Sequence, residues 1–71
     1  MDVRSDINGT VWKIGVSVGD EVGADDELVI LESMKMEVPV TAPSAGRVRE
    51  IVVAEGDSVT EDQVLVVIDP G

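Results

Sequence analysis

Short apolar runs rich in valine and isoleucine alternate along the chain with glycine and acidic residues, a pattern that predicts an all-β protein. No segment is long enough or periodic enough for a helix. Glycine and aspartate between the runs supply the turns. We predict strands over residues 2–5, 10–16, 28–33, 36–41, 47–53 and 64–69, with brief extended pieces at Glu21-Val22 and Ser58-Val59.

The two halves of the chain repeat each other at an offset of 37 residues. Residues 1–32 align on residues 38–69 without a gap, and the matching positions are apolar residues that pack and Gly or Asp residues that turn. The matched pairs include Val11 and Val48, Ile14 and Ile51, Gly19 and Gly56, and Asp25 and Asp62. Two copies of one small β unit that share a core would keep such positions, so we predict a single domain over residues 1–71 with pseudo-twofold symmetry.

The spacing of the retained apolar positions breaks the strict alternation of a flat strand once in each copy. In the first copy these positions are Val11, Ile14 and Val16. A bulge, or a bend that carries the strand from one sheet to another, explains the break. We therefore predict two small antiparallel sheets packed face to face as a flattened β-barrel, each with strands from both halves.

One segment, residues 33–37 with the sequence Ser33-Met34-Lys35-Met36-Glu37, has no counterpart in the repeat. It joins the two copies, so its symmetry mate is the gap between the end and the start of the chain. We therefore expect a hairpin at the end of the molecule opposite both termini. Two methionines beside a lysine do not resemble the Asn-Gly or Asp-Gly of a favoured two-residue turn. Exposing two apolar side chains at a turn is also costly unless a partner binds them. The functional site is predicted in this segment.

Composition and charge narrow the possible functions. The 71 residues include no cysteine and no histidine, which excludes zinc sites, thiol nucleophiles and imidazole bases. The formal net charge of −10 would repel phosphate backbones and anionic lipid, so neither nucleic acid nor a membrane is an expected partner. The first residues lack the basic and apolar regions of a signal peptide, and no apolar run is long enough for a membrane helix. We expect a cytoplasmic protein.

Residues 32–37 resemble the biotin attachment motif of biotinyl domains, whose usual form is Glu-Ala-Met-Lys-Met. Further along the chain, Thr41-Ala42-Pro43, Gly46-Arg47-Val48, Gly56-Asp57 and Leu65 are similar to the remainder of that family's pattern. The resemblance covers essentially the whole chain, and Ser33 in place of the usual alanine exchanges one small residue for another. It implies a flattened β-barrel with the modified lysine at the tip of an exposed hairpin.

The resemblance also implies the function of a biotin carboxyl carrier. A biotin protein ligase would join biotin to Lys35 through an amide. The neighbours that the ligase or later partners would recognise are Met34, Met36, Glu32, Ser33 and Glu37. The biotin would carry carboxylate between the active sites of biotin carboxylase and carboxyltransferase, so the carrier itself would not be an enzyme.

Two further expectations concern the type of carrier. No insertion lies between Ile14 and Val22, so the chain is nearer to the carriers that lack a protruding thumb. Met1 falls at the start of the first repeat with no linker before it, which favours a free-standing protein.

Three alternatives are separated from this interpretation by particular features. A lipoyl carrier has the same fold and lysine position, but lipoyl domains typically place Asp before and Ala after the lysine, where this chain has Met34 and Met36. A small hydrolase would need a His or Cys, or a Ser in a Gly-x-Ser-x-Gly elbow, and the chain has none of these. An unmodified structural β module with a methionine-rich tip remains open, and the intact mass of native protein would distinguish it.

Several residues also have ordinary structural interpretations. Trp12, the sole aromatic residue, is expected to pack within a strand rather than to serve as a binding platform. Met34 and Met36 could fill the core. Lys13 aligns with an acid in the second copy, as a solvated strand position would. The acidic residues 25–27 are expected in a solvated turn, since they lack the spacing of a calcium loop.

Overall fold

The computed structural model describes residues 1–70, and it confirms the predicted all-β class. Every predicted strand is present, and the two brief extended pieces are also strands. The strands are β1 (Asp2–Arg4), β2 (Gly9–Ile14), β3 (Glu21–Val22), β4 (Glu27–Ser33), β5 (Met36–Thr41), β6 (Gly46–Ile51), β7 (Ser58–Val59) and β8 (Val64–Pro70). Within the described residues, no helix has the length and apolar character needed to cross a membrane.

The strands form two four-stranded antiparallel sheets. One sheet, with strand order β5-β4-β2-β7, is called the hairpin sheet because β4 and β5 flank the unrepeated segment 33–37. The other, with strand order β1-β8-β6-β3, is called the terminal sheet because it holds the first and last strands. Each sheet takes two strands from each half of the chain, as predicted.

Strand pairing repeats at the offset found in the sequence. Thr10 pairs with Glu32 between β2 and β4, and Arg47 pairs with Asp69 between β6 and β8. The pairing of β5 with β4 is matched in the same way by that of β1 with β8. The predicted pseudo-twofold symmetry is therefore a property of the backbone pairing and not only of the sequence.

Each of the two equivalent strands β2 and β6 contains the predicted bulge. In β2 the register against β4 shifts between Val11 and Lys13. In β6 the register against β8 shifts at the equivalent place, between Val48 and Glu50. One residue of each bulged strand, Trp12 in β2, is therefore left without a cross-strand partner.

The chain passes from one sheet to the other directly after β2. The strand ends at Ile14, earlier than the predicted end at residue 16. The backbone N–H of Gly15 still donates to the carbonyl of Leu28 in the hairpin sheet, at 2.9 Å. By Gly19 the chain has reached the terminal sheet, where the Gly19 N–H donates to the Val48 carbonyl at 2.8 Å. This crossing is the bend that the broken alternation predicted.

The core lies between the two sheets and is aliphatic. Its buried residues are Val3, Val11, Val22, Leu28, Val29, Leu31, Ala42, Val48, Val53, Val59, Leu65, Val66 and Ile68. Each fully buried valine, leucine or isoleucine side chain among them contributes roughly 1.5–3 kcal/mol relative to exposure. Because both halves supply these side chains, neither half buries its own apolar face alone.

Trp12 is the residue that the sequence interpretation placed wrongly. Its side chain is 45% exposed, on the outer surface of the hairpin sheet, and it is not part of the core. The physical reason is the bulge: the inward position next to it is filled by Val11, which is buried, while the extra residue is turned to solvent. The Lys13 ammonium lies 5.6 Å from the centre of the indole ring.

Two glycines occupy equivalent turns with positive φ, at 96° for Gly19 and 93° for Gly56. In the turn that contains Gly19, the Asp20 carboxylate accepts a hydrogen bond from the Ser17 N–H at 2.8 Å. In the turn that contains Gly56, the Asp57 carboxylate accepts the equivalent bond from the Ala54 N–H at 2.9 Å. A Cβ added at either glycine would meet no heavy atom within 4 Å, so the backbone conformation alone favours glycine.

Gly19→Ala and Gly56→Ala should destabilise the fold by similar amounts, on the order of 1 kcal/mol or more each. The reason is the same at both sites, since alanine is strained at these φ values and its Cβ would collide with no neighbouring atom. Urea unfolding followed by circular dichroism measures both. A neutral effect at one site beside a large effect at the other would contradict the equivalence of the two turns.

Candidate functional site

The segment without a repeat partner contains a two-residue hairpin turn. Ser33 and Met36 are the last paired residues of β4 and β5, so Met34 and Lys35 alone make the turn. Their φ angles are 51° and 67°. Positive φ at both central residues is the geometry of the twisted hairpin turns that Asn-Gly usually forms. For residues with a Cβ this conformation costs roughly 1–2 kcal/mol each, so the tip of the hairpin is locally strained.

The methionines of the turn lie in solvent. Met34 is 92% exposed and Met36 is 64% exposed, which rules out the interpretation of either as a core residue. Isolated apolar side chains are common on protein surfaces, but two of them at the tip of a strained turn gain nothing within the domain. Neither methionine therefore belongs to the core, and both are accessible to another molecule.

Lys35 projects between them and is also exposed. Among residues 1–70, no side-chain hydrogen bond or salt bridge involves its ammonium group. The amine is therefore free to react, and no conformational change within the chain is needed to expose it. These properties fit a group that is attached through an amide to the lysine nitrogen.

The stem of the hairpin holds this tip in a fixed position. Leu31 in β4 is fully buried and pairs with Val38 in β5, anchoring the inner side of the stem. On the outer side Glu32 pairs with Glu37, and both side chains are exposed. Ser33 is half-buried at the end of β4. All the residues predicted at the site are thus brought together within one hairpin.

Gly9 of β2 packs closely beside the hairpin stem. A Cβ at this position would lie 2.6 Å from the carbonyl oxygen of Glu32 and 3.5 Å from the Cβ of Ser33. Only glycine lets the two backbones approach so closely. The tip therefore stands on a tightly packed three-strand base, which presents Lys35 without the cost of ordering a mobile loop.

The pseudo-twofold relates the hairpin to the place where the chain starts. The N-terminal amine of Met1 donates to the Ile68 carbonyl at 2.7 Å, and the Ile68 N–H donates back to the Met1 carbonyl at 2.8 Å. This pair is the symmetry equivalent of Leu31 and Val38 in the hairpin stem. The molecule measures 35 × 19 × 19 Å along its principal axes. The tip and the first residue thus occupy equivalent corners of different sheets.

Depressions in the surface lie away from the tip. One of about 410 Å³ is bordered by Val22, Gly46 and Pro70, and one of about 400 Å³ is bordered by Arg4 and Thr41. Within the described part of the chain, no group of three or more acidic side chains is placed to hold a metal ion. The site is consequently a projecting side chain rather than a cleft.

One feature near the hairpin was missed by sequence reasoning, namely the exposed Trp12 with Lys13 beside its ring. The alignment of the two copies contained a signal for this exposure. The equivalent residues of the second copy are Arg49 and Glu50, so the tryptophan occurs at a solvent-facing position and breaks the symmetry there.

Comparison with known proteins identifies relatives over the whole domain. The model of the family described as biotin-requiring enzyme matches residues 1–68. The biotin/lipoyl attachment protein of Bacillus subtilis is 45% identical over 65 residues, which cover 92% of this chain and 89% of that protein. The biotinylated protein TB7.3 homolog of Mycobacterium leprae is 46% identical over 67 residues, covering 94% of each chain.

Solved structures show the same fold within much longer chains. A single-chain, multi-domain long-chain acyl-CoA carboxylase superimposes with a TM-score of 0.94 at 31% identity, covering 100% of this chain and 7% of that one. The urea carboxylase of Kluyveromyces lactis superimposes with a TM-score of 0.93 at 36% identity, covering 97% of this chain and 6% of that one.

Proposed function

The chain belongs to the biotin-requiring enzyme family, and from this premise we propose that Lys35 is the residue to which biotin is joined. Biotin is the cofactor of this family, and the two relatives of similar length are an attachment protein and a biotinylated protein. The protein is accordingly a carrier and not itself an enzyme. The observation that carries the assignment to Lys35 is its position on a two-residue turn, as an exposed amine without a partner among residues 1–70.

Attachment requires only an accessible amine from this chain. The deprotonated Lys35 nitrogen attacks the carbonyl carbon of a biotinyl adenylate held by a biotin protein ligase. An amide bond forms, the nitrogen releases one proton to solvent, the bond from carbonyl carbon to phosphate oxygen breaks, and AMP leaves with that electron pair. The ligase supplies the activated acyl group, so the absence of histidine and cysteine in this chain is no obstacle.

In the proposed cycle the loaded carrier moves carboxylate between a biotin carboxylase and a carboxyltransferase. When bound, biotin supplies a ureido nitrogen that accepts and releases the carboxylate. The chain contributes a rigid base, an extended arm and a high effective concentration near both partners when it is held in a complex with them. The carboxylase context of the matched structures supports this role, and a cytoplasmic setting is part of the same proposal.

Two measurements test the function. Incubation with biotin protein ligase, biotin and ATP should raise the intact mass by one biotinyl group. The biotinylated protein, incubated with a purified biotin carboxylase, ATP and labelled bicarbonate, should then retain label that the unmodified protein does not. A chain that is not biotinylated, or is biotinylated but never labelled, contradicts the carrier role.

The flanking methionines should decide between biotin and lipoate. Because Met34 and Met36 distinguish this hairpin from a typical lipoyl site, Met34→Asp combined with Met36→Ala should lower biotinylation and make the chain a better substrate for lipoylation. Both side chains are exposed, so the fold should be retained. Parallel assays with the two ligases measure the change. If the double variant is biotinylated at the wild-type rate and is still not lipoylated, the ligases do not recognise the residues at these two positions.

A further inference from the structure

The three methionines of the chain differ in their exposure to solvent. Met34 is 92% exposed and Met36 is 64% exposed, both at the tip of the hairpin, whereas Met1 is 39% exposed. The Met1 sulfur also accepts a hydrogen bond from the Ser44 hydroxyl at 3.8 Å. Among residues 1–70, no hydrogen bond involves the sulfur of Met34 or Met36. The two most accessible methionines of the chain therefore flank Lys35.

Exposed thioethers react directly with hydrogen peroxide. Cysteine would compete for the oxidant, but the chain contains none. A sulfur lone pair attacks one peroxide oxygen, so an S–O bond forms and the O–O bond breaks. The hydroxide that leaves takes the proton of the new S–OH group and departs as water. The sulfur loses two electrons and the peroxide gains them, so the sulfoxide forms without a catalytic group from this chain.

Oxidation would change the character of the tip while leaving the attachment amine intact. A thioether is apolar and polarisable, whereas a sulfoxide is polar and chiral and carries an accepting oxygen. A partner surface that covers a methionine side chain by apolar contact would have to bury that oxygen without a donor, which is unfavourable. Two sulfoxides would therefore weaken contacts on both sides of Lys35, and the Lys35 nitrogen itself would be chemically unchanged.

The fold should tolerate this modification. Oxidation of a core methionine disrupts packing, but the core between the two sheets contains no methionine. Met34 lies in the turn and Met36 forms the last pair of the hairpin with Ser33, through main-chain atoms that the oxidation leaves alone. The change is therefore confined to the surface of the tip, and reduction of the sulfoxides restores that surface without refolding.

We propose that Met34 and Met36 are reversible oxidation sites, and that their conversion to sulfoxides by hydrogen peroxide slows the attachment of biotin to Lys35. This inference rests on the proposed function, since it concerns the loading of the same lysine. A thiol-dependent methionine sulfoxide reductase reverses the step: the oxygen leaves as water and two thiols become a disulfide. Both side chains are open to such an enzyme at the tip of the hairpin. The pair thus acts as a redox switch on loading.

The order of oxidation tests the sites themselves. Cleavage with trypsin places each methionine in its own peptide, with Met1 in residues 1–4, Met34 in residues 14–35 and Met36 in residues 36–47. After brief treatment of folded protein with hydrogen peroxide, mass spectrometry should find one added oxygen first at Met34, then at Met36 and last at Met1. In protein unfolded by urea, the three rates should become similar. Equal rates in the folded protein would contradict the assignment.

The rate of loading tests the switch. Folded protein is oxidised, the peroxide is destroyed with catalase, and biotin protein ligase, biotin and ATP are then added, so that the ligase never meets the oxidant. The initial rate of biotinylation should fall by roughly tenfold, the effect of burying a polar group without a partner. Treatment with the two sulfoxide reductases, each specific for one epimer, should restore the rate. The melting temperature of the oxidised protein should stay within a few degrees of the reduced form.

Two variants identify the oxidised side chains. Met34→Leu combined with Met36→Leu keeps apolar side chains of similar volume but removes both sulfur atoms. Whatever its starting rate, biotinylation of this double variant should be the same before and after peroxide treatment. Trp12→Phe removes the one exposed indole, a second group that oxidants attack. This variant should still lose its rate after peroxide treatment, as the wild type does.

The outcomes separate this inference from the proposed function. If protein with sulfoxides mapped at Met34 and Met36 is biotinylated as fast as reduced protein, the switch is overturned and the attachment at Lys35 stands. If the rate falls but the reductases do not restore it, or if the double leucine variant loses its rate as well, the damage lies elsewhere and the inference is wrong. Absence of biotinylation in reduced wild-type protein would overturn the proposed function itself.

Discussion

Replacing Lys35 with arginine should abolish biotinylation and leave the fold unchanged. A guanidinium stays protonated and does not act as a nucleophile toward an activated acyl group, so the arginine keeps the charge and length of the lysine but not its chemistry. The position is exposed and no hydrogen bond or salt bridge among the described residues depends on it. A streptavidin blot after incubation with ligase, biotin and ATP should show no signal above the background of a reaction without ATP.

The matched control is Lys13→Arg, which changes the one other lysine of the chain. Lys13 lies in β2, outside the hairpin, and its substitution should leave the biotin signal at the wild-type level. Both variants should melt at the wild-type temperature within a few degrees. Signal that persists in Lys35→Arg and disappears in Lys13→Arg would move the attachment site to the other lysine.

The largest effect on stability is expected from Gly46→Ala. A Cβ on Gly46 would collide with the carbonyl oxygen of Asp69 and would lie 2.6 Å from Cγ2 of Ile68. Ile68 is fully buried and cannot move aside, so the strands β6 and β8 must separate locally. Overpacking of this kind costs about 1–3 kcal/mol or more, a large share of the stability of so small a domain. Urea unfolding should show the loss directly.

Gly15→Ala provides the comparison, because a Cβ there would meet only the carbonyl oxygens of Glu27 and Leu28 at 3.7 Å, an ordinary contact distance. Its effect should stay within about 0.5 kcal/mol of zero. Gly9→Ala, the symmetry mate of Gly46→Ala, should also destabilise the fold, and it should slow biotinylation as well because the collision is with the hairpin stem. Equal stability of the Gly46 and Gly15 variants would mean that the close strand approach is not a constraint.

The repeat in the sequence predicted the architecture because backbone pairing follows the retained apolar and glycine positions. Val11 and Val48 are buried at equivalent places, and each is followed by the bulge that their spacing indicated. The location of the hairpin followed from the same alignment, since Lys35 lies in the segment without a counterpart. The motif then predicted the chemistry of that lysine, whose role as the attachment residue stays a prediction until it is labelled.

One feature could not be predicted from the residues alone, and a second was missed although the alignment of Trp12 with Arg49 indicated it. Nothing in a Met-Lys pair favours positive φ, and the values of 51° and 67° are imposed by the pairing of β4 with β5 on either side. Tertiary pairing here overrides local preference. The exposure of Trp12 had the same kind of cause, because the side on which a bulge residue emerges depends on the registers of three strands and not on its own hydrophobicity.

Because each sheet is completed by strands of both halves, one repeat alone would leave its apolar surface uncovered and would have to associate with a second copy. Such a dimer of separate chains would hold chain ends at both of its equivalent corners and no hairpin at either. In the single chain, the hairpin of residues 33–37 closes one of these corners, and the first residue occupies the other. The segment that contains Lys35 therefore lies outside both repeats. A pair of separate repeats would lack this segment, so the proposed modification site depends on the covalent connection between the two copies and occurs once in the chain.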